Sequence, residues 1–127
     1  MATIEVTAEN FNDTVAEGTV LLDFWAAWCG PCRQFGPIFE KSSEKHPDLK
    51  FGKVDTEAQG ELAQAFGIQS IPTLMVFRDG IRLYEGAGAL PGNALEDLIE
   101  QAGKIDMDDV RAKIAEAEAK AGSADAE

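Results

Sequence analysis

The segment Val20-Leu21-Leu22-Asp23-Phe24-Trp25 constrains the fold of this chain more than any other. Apolar residues run through it without alternating with polar ones. A strand with one wet face alternates, so an unbroken run points to a strand covered on both faces. Helices must then pack on both sides of the sheet, which is the α/β plan. Asp23, set among these apolar neighbours, should be desolvated, with a raised pKa that suits it to proton transfer near neutrality.

The remainder of the chain alternates between strand and helix patterns. Residues 3–6 form a short β-branched stretch, followed by a helix with Thr7 as N-cap and Phe11 and Val15 on one face. From Cys32 onward Phe35, Ile38 and Phe39 fall at helical spacing, and His46-Pro47 should end that helix. Residues 50–55 read as a strand. Thr56 and Gln59 are spaced as a capping box for a helix that buries Leu62, Ala65 and Phe66. Residues 73–77 make a strand that turns at Asp79-Gly80 into residues 82–85, a hairpin signal. Pro91 can open a further helix with Leu95, Leu98, Ile99 and Ala102 as its buried stripe and Gly103 as its cap. The predicted order is β-α-β-α-β-α-β-β-α, a mixed sheet ending in an antiparallel hairpin.

Residues 104–127 stand apart from residues 1–103. Asp106 is placed to cap a helix with a thin stripe of Met107, Val110, Ile114 and Ala117, ended by Gly122-Ser123, with the last residues frayed. This extension carries seven acidic residues against four basic ones, so most of the chain's net charge of −12 lies in the preceding domain. Such acidity argues against nucleic acid as a partner, because phosphate contacts need clustered Lys and Arg. It suits a monodisperse, monomeric protein. The first residues show neither a basic n-region nor an apolar h-region, and no stretch reaches the ~20 apolar residues of a membrane span. Both observations lead us to expect a cytoplasmic protein without a membrane partner.

In that compartment a close cysteine pair is more often catalytic or metal-binding than structural. Cys29 and Cys32 lie where a strand gives way to a helix, and Cys32 falls in the first helical turn. Unpaired N–H groups and the helix dipole stabilise a thiolate there, and the thiolate is the attacking species in disulfide exchange. Two intervening residues let the sulfurs close a disulfide without unwinding the helix. Gly30 leaves the approach to Cys29 open. Pro31 suits an early helical position and limits thiolate stabilisation, which favours a reducing couple. A structural disulfide or two inert thiols are the alternatives. A closed zinc site fails within one chain, since zinc takes four ligands and only His46 could join the two cysteines.

The stretch Asp23-Phe24-Trp25-Ala26-Ala27-Trp28-Cys29-Gly30-Pro31-Cys32 resembles the active-site segment of the thioredoxin family. The resemblance continues through Lys53-Val54-Asp55, Phe66-Gly67-Ile68, Ile71-Pro72-Thr73-Leu74 and Gly88-Ala89-Leu90, and covers residues 2–103. It implies a thioredoxin fold, a mixed five-stranded sheet flanked by helices, here with an extra C-terminal helix. It further implies a protein-disulfide reductase recharged by thioredoxin reductase, an NADPH-dependent flavoprotein. No cofactor is bound; the redox-active Cys29–Cys32 disulfide does the work. Carried onto this sequence, Cys29 is the exposed nucleophile, Cys32 the more buried resolving thiol, Asp23 the carboxylate that takes the proton of Cys32, and Lys53 the lysine that modulates Asp23. Pro72 matches the family's cis-proline, with the backbone at Ile71 pairing with substrate. Trp28, Gly30, Pro31, Ile71, Pro72, Gly88 and Ala89 are expected to form the docking surface for protein disulfide substrates, with Trp25 as support. Pro37 should kink the long helix, and Gly36 beside it should loosen that kink further. An oxidase or isomerase, or a binding module with incidental cysteines, are the competing functions.

Overall fold

A computed structural model describes residues 2–125. The predicted run of apolar residues forms the central strand of a five-stranded sheet. In chain order the elements are β1 (Thr3–Glu5), α1 (Phe11–Val15), β2 (Thr19–Trp25), α2 (Gly30–Lys45), β3 (Lys50–Asp55), α3 (Gly60–Ala65), β4 (Thr73–Arg78), β5 (Ile81–Ala87), α4 (Gly92–Lys104) and α5 (Met107–Asp125). The strands lie side by side in the order β1-β3-β2-β4-β5. β1 and β2 pair with β3 in parallel, whereas β4 is antiparallel to both β2 and β5. This is the mixed α/β sheet expected from the sequence.

The apolar run conceals an alternation that becomes visible once the sheet has two sides. Leu21 points with Phe51, Leu74 and Val76 toward α2 and α4, where Phe35, Phe39, Leu95, Ile99 and Ala102 close one core. Val20, Leu22 and Phe24 point the other way, with Val54, Met75 and Phe77, toward Val15 of α1 and the partly buried Phe11, Leu62 and Phe66. Successive side chains on a strand face opposite sides, so both sets had to be apolar. Gly52 of β3 shows how tightly the second core is filled. A Cβ there would stand 2.5 Å from a methyl of Val6 and 2.9 Å from one of Leu22.

Several local expectations shift. Thr7 does not cap α1; Asn10 occupies that position, and Thr7 and Asn10 exchange side-chain-to-backbone hydrogen bonds ahead of the helix. Thr56 and Gln59 form no capping box. The Thr56 hydroxyl donates to the Trp25 carbonyl, and the Asp55 carboxylate accepts from the N–H groups of Glu57 and Ala58 instead. The helix therefore starts late, at Gly60, and leaves Phe66 as its C-cap. α2 runs from Gly30 through Pro37 to Lys45, with His46 as C-cap. α4 continues through Gly103 to Lys104, so the cap falls on Ile105 and not on Gly103. The Asp79-Gly80 turn is as predicted, both residues having positive φ, 51° and 82°.

Asp106 caps α5 as expected, its carboxylate accepting from the N–H groups of Asp108 and Asp109. The helix passes through Gly122-Ser123 and does not stop there; the expectation of a frayed end falls on residues 126–127, outside the described residues. Among the described residues, α5 is anchored at its root. Met107 is buried, Val110 half-buried, and Ile114 and Ala117 are exposed. Arg111 pairs with Asp79, 3.2 Å away, and Arg78 donates to the carbonyls of Ala102 and Ile105. Arg78 and Asp79 lie beside Thr19, where β2 begins, so the extension is rooted at the pole opposite the end of β2.

The two packing observations carry separate outcomes. Gly52→Ala should destabilise the protein by about 1–3 kcal/mol in urea unfolding, because the methyl overfills a closed core. Ending the chain after Arg111 should leave stability within about 0.5 kcal/mol by the same measurement, because residues 112–121 are exposed.

Candidate active site

β2 ends at Trp25, and the chain turns through Ala26 and Ala27 before α2 begins at Gly30. Cys29 is the N-cap of that helix, and its Sγ accepts a hydrogen bond from the Cys32 N–H at 3.2 Å. Pro31 occupies the first turn, where a missing N–H costs nothing. Cys29 and Cys32 are joined by a disulfide, with Cα atoms 5.2 Å apart. The helix N-terminus that supplies unpaired N–H groups is thus also what holds the two sulfurs within bonding reach.

One expectation is corrected here. The two cysteines were expected to differ in exposure, yet each is only 4% exposed in the disulfide form. The closed disulfide packs with Ala26 against Trp25 and Ile71, and Cys29 Sγ lies 3.5 Å from the Ile71 carbonyl oxygen. What distinguishes the two is position. Cys29 precedes the helix and abuts the neighbouring loop, whereas Cys32 lies inside the first turn.

That neighbouring loop is brought in by tertiary structure. The Ile71–Pro72 peptide bond is cis, as the resemblance implied. Pro72 accepts a hydrogen bond through its carbonyl from the Gly88 N–H at 2.8 Å, which ties the loop after β5 to the start of β4. Gly88 takes φ 103°, a conformation open to glycine and disfavoured for other residues. Trp28 (67% exposed), Pro31, Gly88 and Ala89 are exposed, while Gly30 and Ile71 are half-buried and Pro72 is buried. The residues expected to form a docking surface are therefore gathered from three separate parts of the chain, and Pro72 underlies that surface.

Two residues before Trp25 on β2, and on the same side of the sheet, lies Asp23. It is fully buried, and among the described residues neither of its carboxylate oxygens has a hydrogen-bond partner. Burial pushes its pKa up to about 7, against the smaller opposing pull of Lys53. Lys53 stands opposite Asp23 in the β2–β3 register and is half-buried. Its ammonium lies 4.6 Å from the centroid of the Trp25 ring. Trp25 itself is half-buried and packs against the disulfide.

Sequence reasoning missed Glu57. The Trp28 indole N–H donates to its carboxylate at 2.5 Å, which fixes the orientation of the exposed ring beside the disulfide. The only signal was an Asp two residues earlier, suited to turning the backbone at Glu57. His46, the C-cap of α2, is half-buried outside the site, with Nε2 2.7 Å from Glu96. Among the described residues no group of three or more His, Cys, Asp or Glu side chains could hold a metal ion, and no helix is long and apolar enough to cross a membrane.

The family model described as Thioredoxin matches residues 2–101. The chain is 61% identical over 122 residues to "Putative thioredoxin 2" of Streptomyces coelicolor, an alignment covering 95% of this chain and 91% of that one. That alignment takes in most of the C-terminal extension. The thioredoxin of Bacillus subtilis is 39% identical over 102 residues, covering 80% of this chain and 98% of its own. Among solved structures, a mutant thioredoxin from Halobacterium salinarum superposes with a TM-score of 0.75 at 34% identity, covering 82% of this chain and 93% of that one. With a strand-to-helix disulfide, a buried carboxyl on the strand that leads to it and a cis-proline loop beside it, the chain belongs to the thioredoxin family and is a protein-disulfide reductase.

Proposed function

We propose that this chain reduces protein disulfides in the cytoplasm through unequal roles of Cys29 and Cys32, and is recharged by an NADPH-dependent thioredoxin reductase. The observation that carries the reading is the disulfide at the N-terminus of α2, reached from the strand that holds an unpartnered, buried Asp23. In the reduced protein the Cys29 thiolate attacks one sulfur of a target disulfide. The target S–S bond breaks, a Cys29–target disulfide forms, and the other target sulfur leaves as a thiolate. Cys32 then loses its proton to the Asp23 carboxylate and attacks Cys29 Sγ. The mixed disulfide breaks, the second target sulfur leaves, and the Cys29–Cys32 disulfide forms. Two electrons have passed to the target, and the reductase returns two to the chain.

Asp23 suits its part because a group that ionises near pH 7 exists in both forms at neutrality. Lys53 favours that ionisation by its charge, against the larger effect of burial. Trp28, Gly30, Pro31, Gly88 and Ala89 offer the target an exposed, mostly apolar surface, over Pro72. The backbone at Ile71, whose carbonyl already touches Cys29, would pair with an extended target segment in the manner of an added strand. The α5 root is remote from this surface, which is consistent with an unobstructed docking face and a protein that works as a monomer. A cytoplasmic setting fits a couple that must be kept reduced.

Insulin reduction coupled to NADPH and a thioredoxin reductase tests the whole cycle: NADPH should be consumed, and Cys29→Ser should abolish consumption. Cys32→Ser should accumulate a mixed disulfide at Cys29, detectable as a mass adduct; turnover without such an adduct would sink the two-thiol mechanism. Asp23→Asn should slow reduction most at neutral pH, and a rate equal to that of the parent would remove Asp23 from the mechanism.

Burial of Asp23 also has a stability consequence. Its pKa rises from 3.8 to about 7 on folding, so between those values the folded chain holds a proton that the unfolded chain has lost. Stability therefore falls as pH rises through that window, and the penalty is complete above pH 7. Asp23→Asn should match the parent in urea unfolding below about pH 4. At pH 8 it should exceed the parent by up to roughly 4 kcal/mol, at 1.36 kcal/mol per pH unit between the two values. A gap that does not widen with pH would refute a buried, destabilising carboxylate.

A further inference from the structure

Lys53 and Asp23 are direct neighbours across β2 and β3, yet no salt bridge closes between them and the Asp23 oxygens remain without a hydrogen-bond partner among the described residues. The Lys53 ammonium is engaged elsewhere. It lies over the Trp25 ring, 4.6 Å from the centroid. Trp25 is two residues beyond Asp23 on β2, so both side chains emerge on the same side of the sheet. The ammonium also lies near α2, where a Cβ added to Gly36 would stand 3.9 Å from Nζ. Lys53 thus rests on an indole face and close to the one position of that helix turn without a side chain. A cation is attracted to an aromatic face, and to Trp more than to Phe or Tyr.

We propose that the Trp25 ring holds the Lys53 ammonium off Asp23, in space that Gly36 leaves open, and that Trp25 thereby acts as a positioning residue for the proton acceptor of disulfide exchange. The proposal rests on the role given to Asp23 above. It accounts for a pull from Lys53 that is felt by Asp23 but does not overcome burial. Were the ammonium to close on the carboxylate, the ionised form would be strongly favoured and Asp23 would become too weak a base to take a proton from a thiol. The charged and titratable groups around Asp23 are few. β3 contributes Lys53 and, opposite Trp25, Asp55, whose carboxylate already accepts from the N–H groups of Glu57 and Ala58; β4 presents Leu74 at the matching register, and α2 carries Cys32 in its first turn. One turn beyond Gly36, α2 also carries Glu40, one of whose oxygens accepts from the Thr3 hydroxyl while the other is buried without a partner. Glu40 is the competing destination for a freed ammonium.

The test is a carbon-13 NMR titration of the Asp23 carboxyl in the full-length oxidised chain, where neither cysteine titrates. Trp25→Leu should lower the Asp23 midpoint by about 0.5–1 pH unit, and Trp25→Phe, which keeps a weaker ring in the wall and preserves packing, by less. Removing the indole also admits water beside Asp23, an effect that acts whether or not Lys53 is present. Each substitution is therefore repeated with Lys53→Met, where the midpoint should change by less than half as much. An equal change in both backgrounds would overturn the proposal. So would a rise in the midpoint with Lys53 present, which would mean that the ammonium moves to Glu40. The titration does not depend on turnover, so its failure is distinct from the failure of Asp23 as proton acceptor, which the Asp23→Asn assay reads.

Discussion

Much of this molecule follows from placing a carboxyl group inside a strand that is covered on both faces. β2 is the middle strand of the sheet, parallel to β3 on one side and antiparallel to β4 on the other. Its side chains feed two separate cores. An aspartate at its fifth position has no route to water, so it must either find a partner or keep its proton toward neutrality. It finds no hydrogen-bond partner, and burial outweighs the nearby lysine. The same strand ends at the turn that starts α2, so a group titrating near pH 7 stands two residues before Trp25, which packs against the cysteine pair. The chemistry is thus bound to the topology of the sheet.

The site is assembled at one pole of the domain from pieces that have little local reason to meet. The N-terminus of α2 gathers the two sulfurs, the start of β4 brings Ile71 and Pro72, and the hydrogen bond from Gly88 to Pro72 fastens the loop after β5. Glu57, from the segment after β3, steadies the exposed Trp28 ring. At the other pole Arg78 and Asp79 anchor the C-terminal extension through its first turns. Whatever α5 contributes, it starts from the end of the domain away from the disulfide. Its sharing with the Streptomyces coelicolor relative marks it as more than a peculiarity of this chain.

The element order was legible because each element has a strong periodic signal. Continuous apolar runs marked β2 and β4, helical spacing of Phe35, Ile38 and Phe39 marked α2, and Asp79-Gly80 marked the hairpin. Helix ends were less legible. Thr7, Thr56 and Gln59 had the right identities for caps, but tertiary bonds redirected them: Thr56 to the Trp25 carbonyl, and Gln59 to the Ala8 N–H. Gly103 and Gly122 looked like stops, yet a helix tolerates an interior glycine at a cost of only about 1 kcal/mol.

The sequence by itself determined the redox couple, the identity of the buried carboxyl and the alternation of strands and helices, because these depend on residue type and short-range spacing. Tertiary structure alone decided that the ammonium of Lys53 lies over the Trp25 ring without an ion pair to Asp23, which carboxylate steadies Trp28, and that both cysteines of the closed disulfide are equally buried. Those outcomes depend on side chains that are distant in the chain and compete for the same few ångströms, where a contact with an indole face, a bare helix backbone or a carbonyl oxygen decides the geometry. Spacing along the chain carries no record of that competition.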